Sequence, residues 1–299
     1  MSAARECRLK RGPSRIARCV ASSMVADMVT TEPVIRVQGL RKTYVHERPF
    51  SREKFVVRAL DGIDLVISAG SSFALVGESG SGKSTLALCM ARLEQPGEGR
   101  IWFEGQDLFR LSGPELMRVR RHIQLIFQGT AAALNPRFSA EEIIIEPLRI
   151  QSVGTRTEQR DRAVHLMEKV GLPPVWLSRR PHQFSGGQRQ RLAIARALAL
   201  EPRLLILDEA FTGLDLSIQA QMVALLRDLQ SRENLTYVFI SHDLSLMAHV
   251  ADEIAIFDRG RIVEQGQPSR LFSNPCQPET RALLEAIPGR RSVLGLGQS

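Results

Sequence analysis

The chain has 299 residues, 43% hydrophobic and 24% charged, values typical of a soluble globular protein with one large domain or two small ones. Its formal net charge is +8, but the first 23 residues carry +5 of this, so the remaining +3 is only a weak argument for nucleic-acid binding and we expect no nucleic-acid partner. No apolar stretch approaches the roughly 18 residues that a membrane helix needs, so we expect any work at a membrane to proceed through partner proteins.

The two ends of the chain differ in composition from its centre. The basic residues 1–23 lack the apolar core of about 7–15 residues that a signal peptide requires. We expect residues 1–32 to form a disordered basic extension; the alternatives are an organellar presequence or a native start at Met24 or Met28. Residues 289–299 are expected to form a disordered tail.

The cysteines are too dispersed for a zinc site or a disulfide framework, with no C-x-x-C pair and no histidine at zinc spacing. We therefore expect free thiols in a reducing compartment. The four residues are Cys7, Cys19, Cys89 and Cys276.

The first strand patterns predict an antiparallel sheet. Residues 34–40 and 63–70 alternate apolar and polar side chains, as half-buried strands do, and the residues between them, 45–59, are predicted to be a long polar loop. Residues 99–108 predict a hairpin with Gly105 near its turn.

Other segments predict a parallel sheet. Residues 72–76, SFALV, form a continuous apolar run of the kind that is buried on both faces, and a Gly-rich turn leads from them into a helix over 84–94. Strand patterns return at 203–208 and 236–241, separated by the helix 217–230. This βαβ alternation predicts a right-handed crossover between parallel strands.

The middle of the chain has a helical pattern. Ser139-Ala-Glu-Glu142 is a capping-box sequence, and a second helix over 157–170 is followed by Gly171 as its C′ residue. Residues 130–180 are therefore predicted to form a helical insert. Near the C-terminal end, a hairpin turning at 258–260 and a short helix near 278–287 are expected.

The segment GESGSGKS, starting at Gly77, matches the phosphate-binding pattern G-x-x-x-x-G-K-[ST] between a buried strand and a helix. Glycines let backbone N–H groups surround phosphates, Lys83 would reach the β- and γ-phosphates, and the Ser84 hydroxyl would ligate Mg²⁺. The expected ATP-binding residues here are Gly77, Glu78, Ser79, Gly80, Ser81, Gly82, Lys83, Ser84 and Thr85.

The segment LLILDE predicts a buried strand that ends in two acidic residues. Asp208 falls at the C-terminal edge of a parallel sheet, where ligands bind, and is the natural Mg²⁺ partner. Glu209 is placed to polarise an attacking water as general base.

A second glycine pair, in FSGGQRQR (184–191), opens another helix but has no following lysine. With this segment between the phosphate loop and LLILDE, residues 34–288 resemble the ATP-binding cassette (ABC) family. Four more residues match family motifs: Gln128 the Q-loop, Asp215 the D-loop, His242 the switch histidine and Tyr44 the aromatic that stacks on adenine.

The resemblance implies a domain over residues 33–288, with a helical subdomain over about 129–195. It implies an α/β fold: a P-loop NTPase core with a mainly parallel sheet, an N-terminal antiparallel β subdomain and an α-helical insert. It also implies a head-to-tail dimer, in which Ser185, Gly186, Gly187 and Gln188 bind the partner's ATP. Ser84, Gln128 and Asp208 become the expected Mg²⁺ ligands, and Glu209, His242, Gln128 and Lys83 the expected catalytic residues.

Within the family, the chain is similar to the second ATPase subunit of peptide/nickel-type importers, through segments that include IQAQ (218–221) and ALLEAIP (282–288). Gly129-Thr130, Ala210-Phe211 and Phe184 depart from common family patterns without removing a catalytic group, and leave the solute open.

This resemblance implies ATP and Mg²⁺ as cofactors and a peripheral position on the cytoplasmic face of the inner membrane. The expected partners are a second ATPase subunit, two integral membrane permeases and, indirectly, an extracytoplasmic solute-binding protein, with no nucleic acid. The alternative is an ABC ATPase outside transport, such as a subunit of a phosphonate-metabolising complex.

Overall fold

The computed structural model describes residues 33–47, 54–129 and 134–287. The predicted basic extension and C-terminal tail lie outside these residues. None of the helices within the described ranges combines the length and apolar character needed to cross a bilayer.

One of the two sheets is antiparallel and is made of β1 (Pro33–Glu47), β2 (Lys54–Ser68), β4 (Glu98–Phe103) and β5 (Gln106–Asp107). Its strands lie in the order β2-β1-β4-β5. The turn between β4 and β5 contains Gly105 at φ +77°, which confirms the predicted hairpin.

The prediction of a polar loop over 45–59 is wrong at both of its ends. β1 continues to Glu47 and β2 begins at Lys54, with Val45 paired to Val56. β-Branched valines favour a strand even where the side chains stay in water, and Val45 and Val56 are 55% and 60% exposed.

The central sheet is made of β3 (Ser72–Val76), β6 (Ile123–Ile126), β7 (Leu204–Asp208), β8 (Thr236–Ser241), β9 (Glu253–Asp258) and β10 (Arg261–Gly266). Its strands lie in the order β10-β9-β3-β8-β7-β6 and are parallel except for the antiparallel edge strand β10. The parallel pairing of β7 with β8, which are joined by a helix, confirms the predicted βαβ arrangement of parallel strands.

Nine α-helices accompany the two sheets in the described ranges, together with two 3₁₀ helices, Pro174–Ser178 and Pro181–Gln183. The α-helices are α1 (Lys83–Met90), α2 (Gly113–His122), α3 (Ala140–Ile150), α4 (Arg156–Lys169), α5 (Gly186–Leu198), α6 (Leu216–Glu233), α7 (Leu244–Val250), α8 (Pro268–Ser273) and α9 (Pro278–Glu285). Neither α2 nor β6 was predicted, and α1 ends four residues before the expected Glu94.

The central sheet has a core on each face. Phe73 and Leu75 face the antiparallel sheet and α1, whereas Ala74 and Val76 face a larger cluster that includes the helices of the insert. Burial on both faces explains the continuous apolar run of β3.

Helices α3, α4 and α5 pack on one another. Each begins with a capping box: Ser139 with Glu142, Thr155 with Glu158, and Ser185 with Gln188. The first was predicted from sequence. Two hydrogen bonds from Ser139 lower the pKa of the Glu142 carboxyl, and the one from the Ser139 backbone has the larger effect.

Candidate functional site

The phosphate loop connects β3 to α1 and closes around the ammonium group of Lys83. Nζ of Lys83 donates to the carbonyl oxygens of Gly77 and Glu78, both at 2.7 Å, and to Oγ of Ser81 at 3.1 Å. Burial lowers the pKa of Lys83, and the carboxylates of Glu209, Asp208 and Glu78 partly offset this effect. The lysine is therefore a preorganised cation beside the loop backbone.

Two glycines of the loop are required by steric contact. A Cβ at Gly77 would lie 2.0 Å from the carbonyl oxygen of Phe257, and one at Gly82, where φ is +111°, 2.1 Å from that of Ala59. A Cβ at Gly80 would have no atom of the described residues within 4 Å. The loop is thus supported from β2 and β9, and its open side can receive phosphates at the start of α1.

Ser84 and Asp208 meet at the carboxyl end of the central sheet. Oγ of Ser84, in the first turn of α1, donates to Oδ1 of Asp208, the last residue of β7, at 3.3 Å. Burial raises the pKa of Asp208, while the Ser84 hydrogen bond opposes that shift. A bound cation would relieve this buried carboxylate, and two hard oxygens beside a phosphate loop suit Mg²⁺.

Among the described residues, Glu209 has three side-chain partners. Its Oε2 accepts from Nε2 of Gln128 at 3.3 Å and from Oγ1 of Thr212 at 3.0 Å, and its Oε1 lies 3.3 Å from Nδ1 of His242. The structure thus brings together three of the predicted residues, from the ends of β6, β7 and β8.

The backbone of Glu209 is left-handed, with φ +48°, which is unusual for a residue with a long side chain. Its N–H donates to the carbonyl oxygen of Ile240 at 2.9 Å, and its carbonyl accepts from the N–H of Thr212 at 3.2 Å. This turn brings Thr212 back to the carboxylate. Sequence reasoning missed Thr212, because a hydroxyl three residues after an acid has no diagnostic pattern of its own.

The second glycine pair begins α5. Oγ of Ser185 accepts from the N–H of Gln188 at 3.3 Å, and Oε1 of Gln188 accepts from the N–H of Ser185 at 2.9 Å. Ser185 and Gly186 are exposed, whereas Gly187 is buried. Among the described residues, no hydrogen bond joins this motif to the phosphate loop.

Asp215 caps α6, since its Oδ1 accepts from the N–H of Ile218 at 2.9 Å. The residue that follows it, Leu216, is 83% exposed. The hydrogen bonds of the described residues do not place Asp215 in the cluster around Glu209.

Tyr44 lies on β1, opposite Val57 of β2. Two residues further along β2, the carbonyl of Ala59 supports Gly82 of the phosphate loop. Nζ of Lys42 lies 5.1 Å from the centre of the Tyr44 ring and is paired with Glu94, near the end of α1. The aromatic residue is thus attached to the same scaffold as the loop.

In this site a strand leads into a glycine loop around a buried lysine. The helix that follows places the hydroxyl of its first turn against the aspartate of a neighbouring parallel strand. These are the features of a P-loop ATPase. The fold and site define a nucleotide-binding protein of this class.

Comparison with known proteins gives the family. Residues 60–212 match the ABC transporter family model, and the chain belongs to this family as an ATP-hydrolysing cassette. It is 43% identical to the dipeptide transport ATP-binding protein DppF of Escherichia coli, over 86% of this chain and 77% of that one. It is 42% identical to the oligopeptide transport ATP-binding protein AppF of Bacillus subtilis, over 87% and 80% respectively.

Among solved structures, the fold matches a dimeric ATP-binding cassette in a post-hydrolysis state bound to ADP and Pi. The TM-score is 0.68 at 29% identity, covering 78% of this chain and 98% of that one. This agrees with the α/β ABC ATPase fold predicted from the motifs.

Proposed function

We propose that the chain is the ATP-hydrolysing subunit of an ABC importer that takes up a peptide, a nickel chelate or a related small solute through a separate permease. The observation that carries this proposal is the 42–43% identity to AppF and DppF over 86–87% of the chain. The names of these relatives favour a peptide among the three solutes.

Within the chain's own site, Lys83 and the loop from Gly77 to Thr85 bind the ATP phosphates. Ser84, Asp208 and Gln128 hold Mg²⁺, which neutralises phosphate charge when bound. Glu209 orients and deprotonates the attacking water, and His242 fixes its carboxylate. The three side-chain partners of Glu209 support this assignment, because a general base must be held at a defined angle to its water.

The second half of each site comes from another cassette, with Ser185, Gly186, Gly187 and Gln188 on the γ-phosphate of the partner's ATP. Two observations support this assembly: the exposed Ser185 at the start of α5, and the largely exposed Leu216 beside Asp215. The solved relative bound to ADP and Pi is itself dimeric.

A permease contact is supported by exposed apolar residues where β6 meets the helical insert. Leu93, Phe127 and Ile150 are 54%, 45% and 67% exposed and line one groove with Gln124 and Arg196. Exposed apolar clusters of this kind mark protein contacts. The subunit would lie on the cytoplasmic face of the inner membrane, and the extracytoplasmic binding protein would reach it only through the permeases.

The test is affinity purification of the tagged full chain from detergent-solubilised membranes of its host. Integral membrane permeases and a second ATPase should co-purify, and ATPase activity of the reconstituted complex should rise with peptides or nickel chelates. Co-purification with soluble enzymes alone would contradict the importer and favour the phosphonate-metabolising alternative.

A further inference from the structure

The IQAQ segment, residues 218–221 at the start of α6, holds the D-loop, residues 212–215, from one side. Nε2 of Gln219 donates to the carbonyl oxygens of Phe211 at 3.3 Å and Leu214 at 3.1 Å. One partly buried amide group thus bonds the backbone just before the D-loop and within it, so a shift of that loop displaces α6 or breaks these bonds.

The same segment contacts the signature helix α5 on its other side. A Cβ on Gly187 would lie 2.8 Å from Cγ2 of Ile218, so Ile218 packs directly on the second signature glycine. Oε1 of Gln221 accepts from Nη2 of Arg191 at 3.4 Å, and Nη1 of Arg191 donates to the carbonyl of Val170 at 2.8 Å. The Ile218 and Gln221 contacts thus join the start of α5 to α6, and the Val170 bond joins α5 to the end of α4.

The D-loop is joined in turn to the hydrolytic site through its first residue. Thr212 donates to Oε2 of Glu209 at 3.0 Å. The hydrogen bond between Thr212 and Glu209 is therefore linked to the packing of Ile218 on Gly187 through the backbone of residues 211–218. Gln219 holds that backbone at Phe211 and Leu214.

We propose that Gln219 and Ile218 are positioning residues that join the D-loop to the signature helix, so that the Glu209 site of a chain moves together with the half-site that the chain lends to its partner. This inference rests on the proposed composite ATP site. It gives the IQAQ segment a role in communication between the two sites of a dimer, carried by contacts inside one chain. Coupling of this kind needs a physically contiguous element that both sites can bias, and α6 provides it.

The test is amide hydrogen exchange of the full chain, followed by mass spectrometry, without nucleotide. Gln219→Leu removes the two donated bonds at little change in size. It should speed exchange by at least about fivefold in peptides covering both 211–216 and 186–190, because local opening of one element should release the other. Gln230→Leu is the matched control: Gln230 also bonds a loop carbonyl, that of Gly70 at 2.8 Å, but at the far end of α6. It should leave both peptides unchanged.

Ile218→Ala is the second variant, and it removes the methyl group that touches Gly187. If Gln219→Leu does not fold, this variant tests whether the D-loop and the signature helix are joined. It should also speed exchange in both peptides. A rise confined to 211–216, with 186–190 at the wild-type rate, would overturn the proposal.

Turnover separates positioning from simple stability. In the assembly in which the wild type hydrolyses ATP, Gln219→Leu should lower kcat about tenfold while nucleotide affinity stays within about twofold. Coupled exchange with unchanged kcat would overturn the functional role of the contact. A wild type without ATPase activity would instead contradict the proposed function, and the exchange result would stand independently.

Discussion

Oε1 of Glu209 lies 3.3 Å from Nδ1 of His242, across the ends of the adjacent parallel strands β7 and β8. The two carboxylate oxygens have different partners, since Oε2 accepts from Gln128 and Thr212. The Glu209 carboxylate is therefore oriented from three separate segments of the chain, and any of these segments can disturb it.

Glu209→Gln should lower ATP turnover by at least about a hundredfold, because an amide cannot accept the proton of the attacking water. ATP affinity should change little, since the substitution keeps the shape of the side chain. The measurement pairs steady-state hydrolysis with equilibrium binding of a fluorescent ATP analogue. Glu285→Gln, an exposed carboxylate of α9, is the control. Normal turnover by Glu209→Gln would remove Glu209 from the role of base.

Lys83→Ala should weaken ATP binding at least about tenfold, or about 1.4 kcal/mol, because a charge-assisted bond to phosphate is lost. Lys169→Ala, which removes a half-buried ion pair with Glu233, is the control and should bind as the wild type does. Calorimetric titration with ATP checks both. Equal affinity of wild type and Lys83→Ala would contradict the phosphate role of this lysine.

Ser185→Arg should leave nucleotide binding by the isolated chain intact and block the closed dimer, because a long cation would occupy the space for the partner's phosphate. Size-exclusion chromatography with ATP, in a Glu209→Gln background, should show a dimer that Ser185→Arg removes. Arg189→Lys keeps a charge nearby, where Nη1 of Arg189 bonds the carbonyl of Phe184 at 2.8 Å, and serves as a milder comparison. Dimerisation by Ser185→Arg would contradict the composite site.

Asp61→Asn should destabilise the chain at neutral pH. Nε of Arg261 donates to Oδ2 of Asp61 at 2.9 Å, and hydrogen bonding with Arg261 lowers the pKa of this carboxyl. A carboxyl with a lowered folded pKa contributes stability above its unfolded pKa of about 3.9 and loses it as pH falls through the folded value.

The difference in free energy of unfolding between wild type and Asp61→Asn should therefore be largest above about pH 5 and shrink below about pH 4. Urea denaturation across this range measures it. Asp228→Asn, an exposed carboxylate paired with Arg232, provides the surface comparison. A difference that grows at acid pH would contradict the pairing.

The sequence predicts the parts of this fold whose patterns are local and strongly apolar. β3, β7 and β8 are continuous apolar runs because they are buried on both faces. The helix α2 was missed because Val119 is its only buried residue, which leaves no apolar stripe. The strand β6 has only four residues, two of them half-buried, and its identity depends on pairing with β7.

The residues of the site likewise divide into those that the sequence predicts and those that it does not. The phosphate loop and the Asp208-Glu209 pair follow from spacing, since the chemistry needs those residue types in that order. The position of Thr212 depends on the left-handed turn at Glu209, which is set by the bond of its N–H to Ile240. Such a contact becomes visible only when the strands are assembled.

Two glycines of the phosphate loop allow the cost of a strained backbone conformation to be compared with the cost of a steric clash. Both have positive φ, +81° at Gly80 and +111° at Gly82, but only Gly82 faces backbone, at 2.1 Å from the Ala59 carbonyl oxygen. Gly80→Ala should cost about 1–2 kcal/mol, the usual penalty for a left-handed alanine. Gly82→Ala should cost about 3 kcal/mol or more, because the loop must also move away from β2.

Urea denaturation of the nucleotide-free chain gives both values. Gly80→Ala should still bind ATP, with reduced affinity, since its loop keeps the support of β2 and β9. Gly82→Ala should lose binding together with stability, because displacement of the loop also withdraws the amides at the start of α1 from the phosphates. Equal losses of stability in the two variants would show that backbone conformation alone sets the cost, and that the Ala59 contact does not constrain the loop.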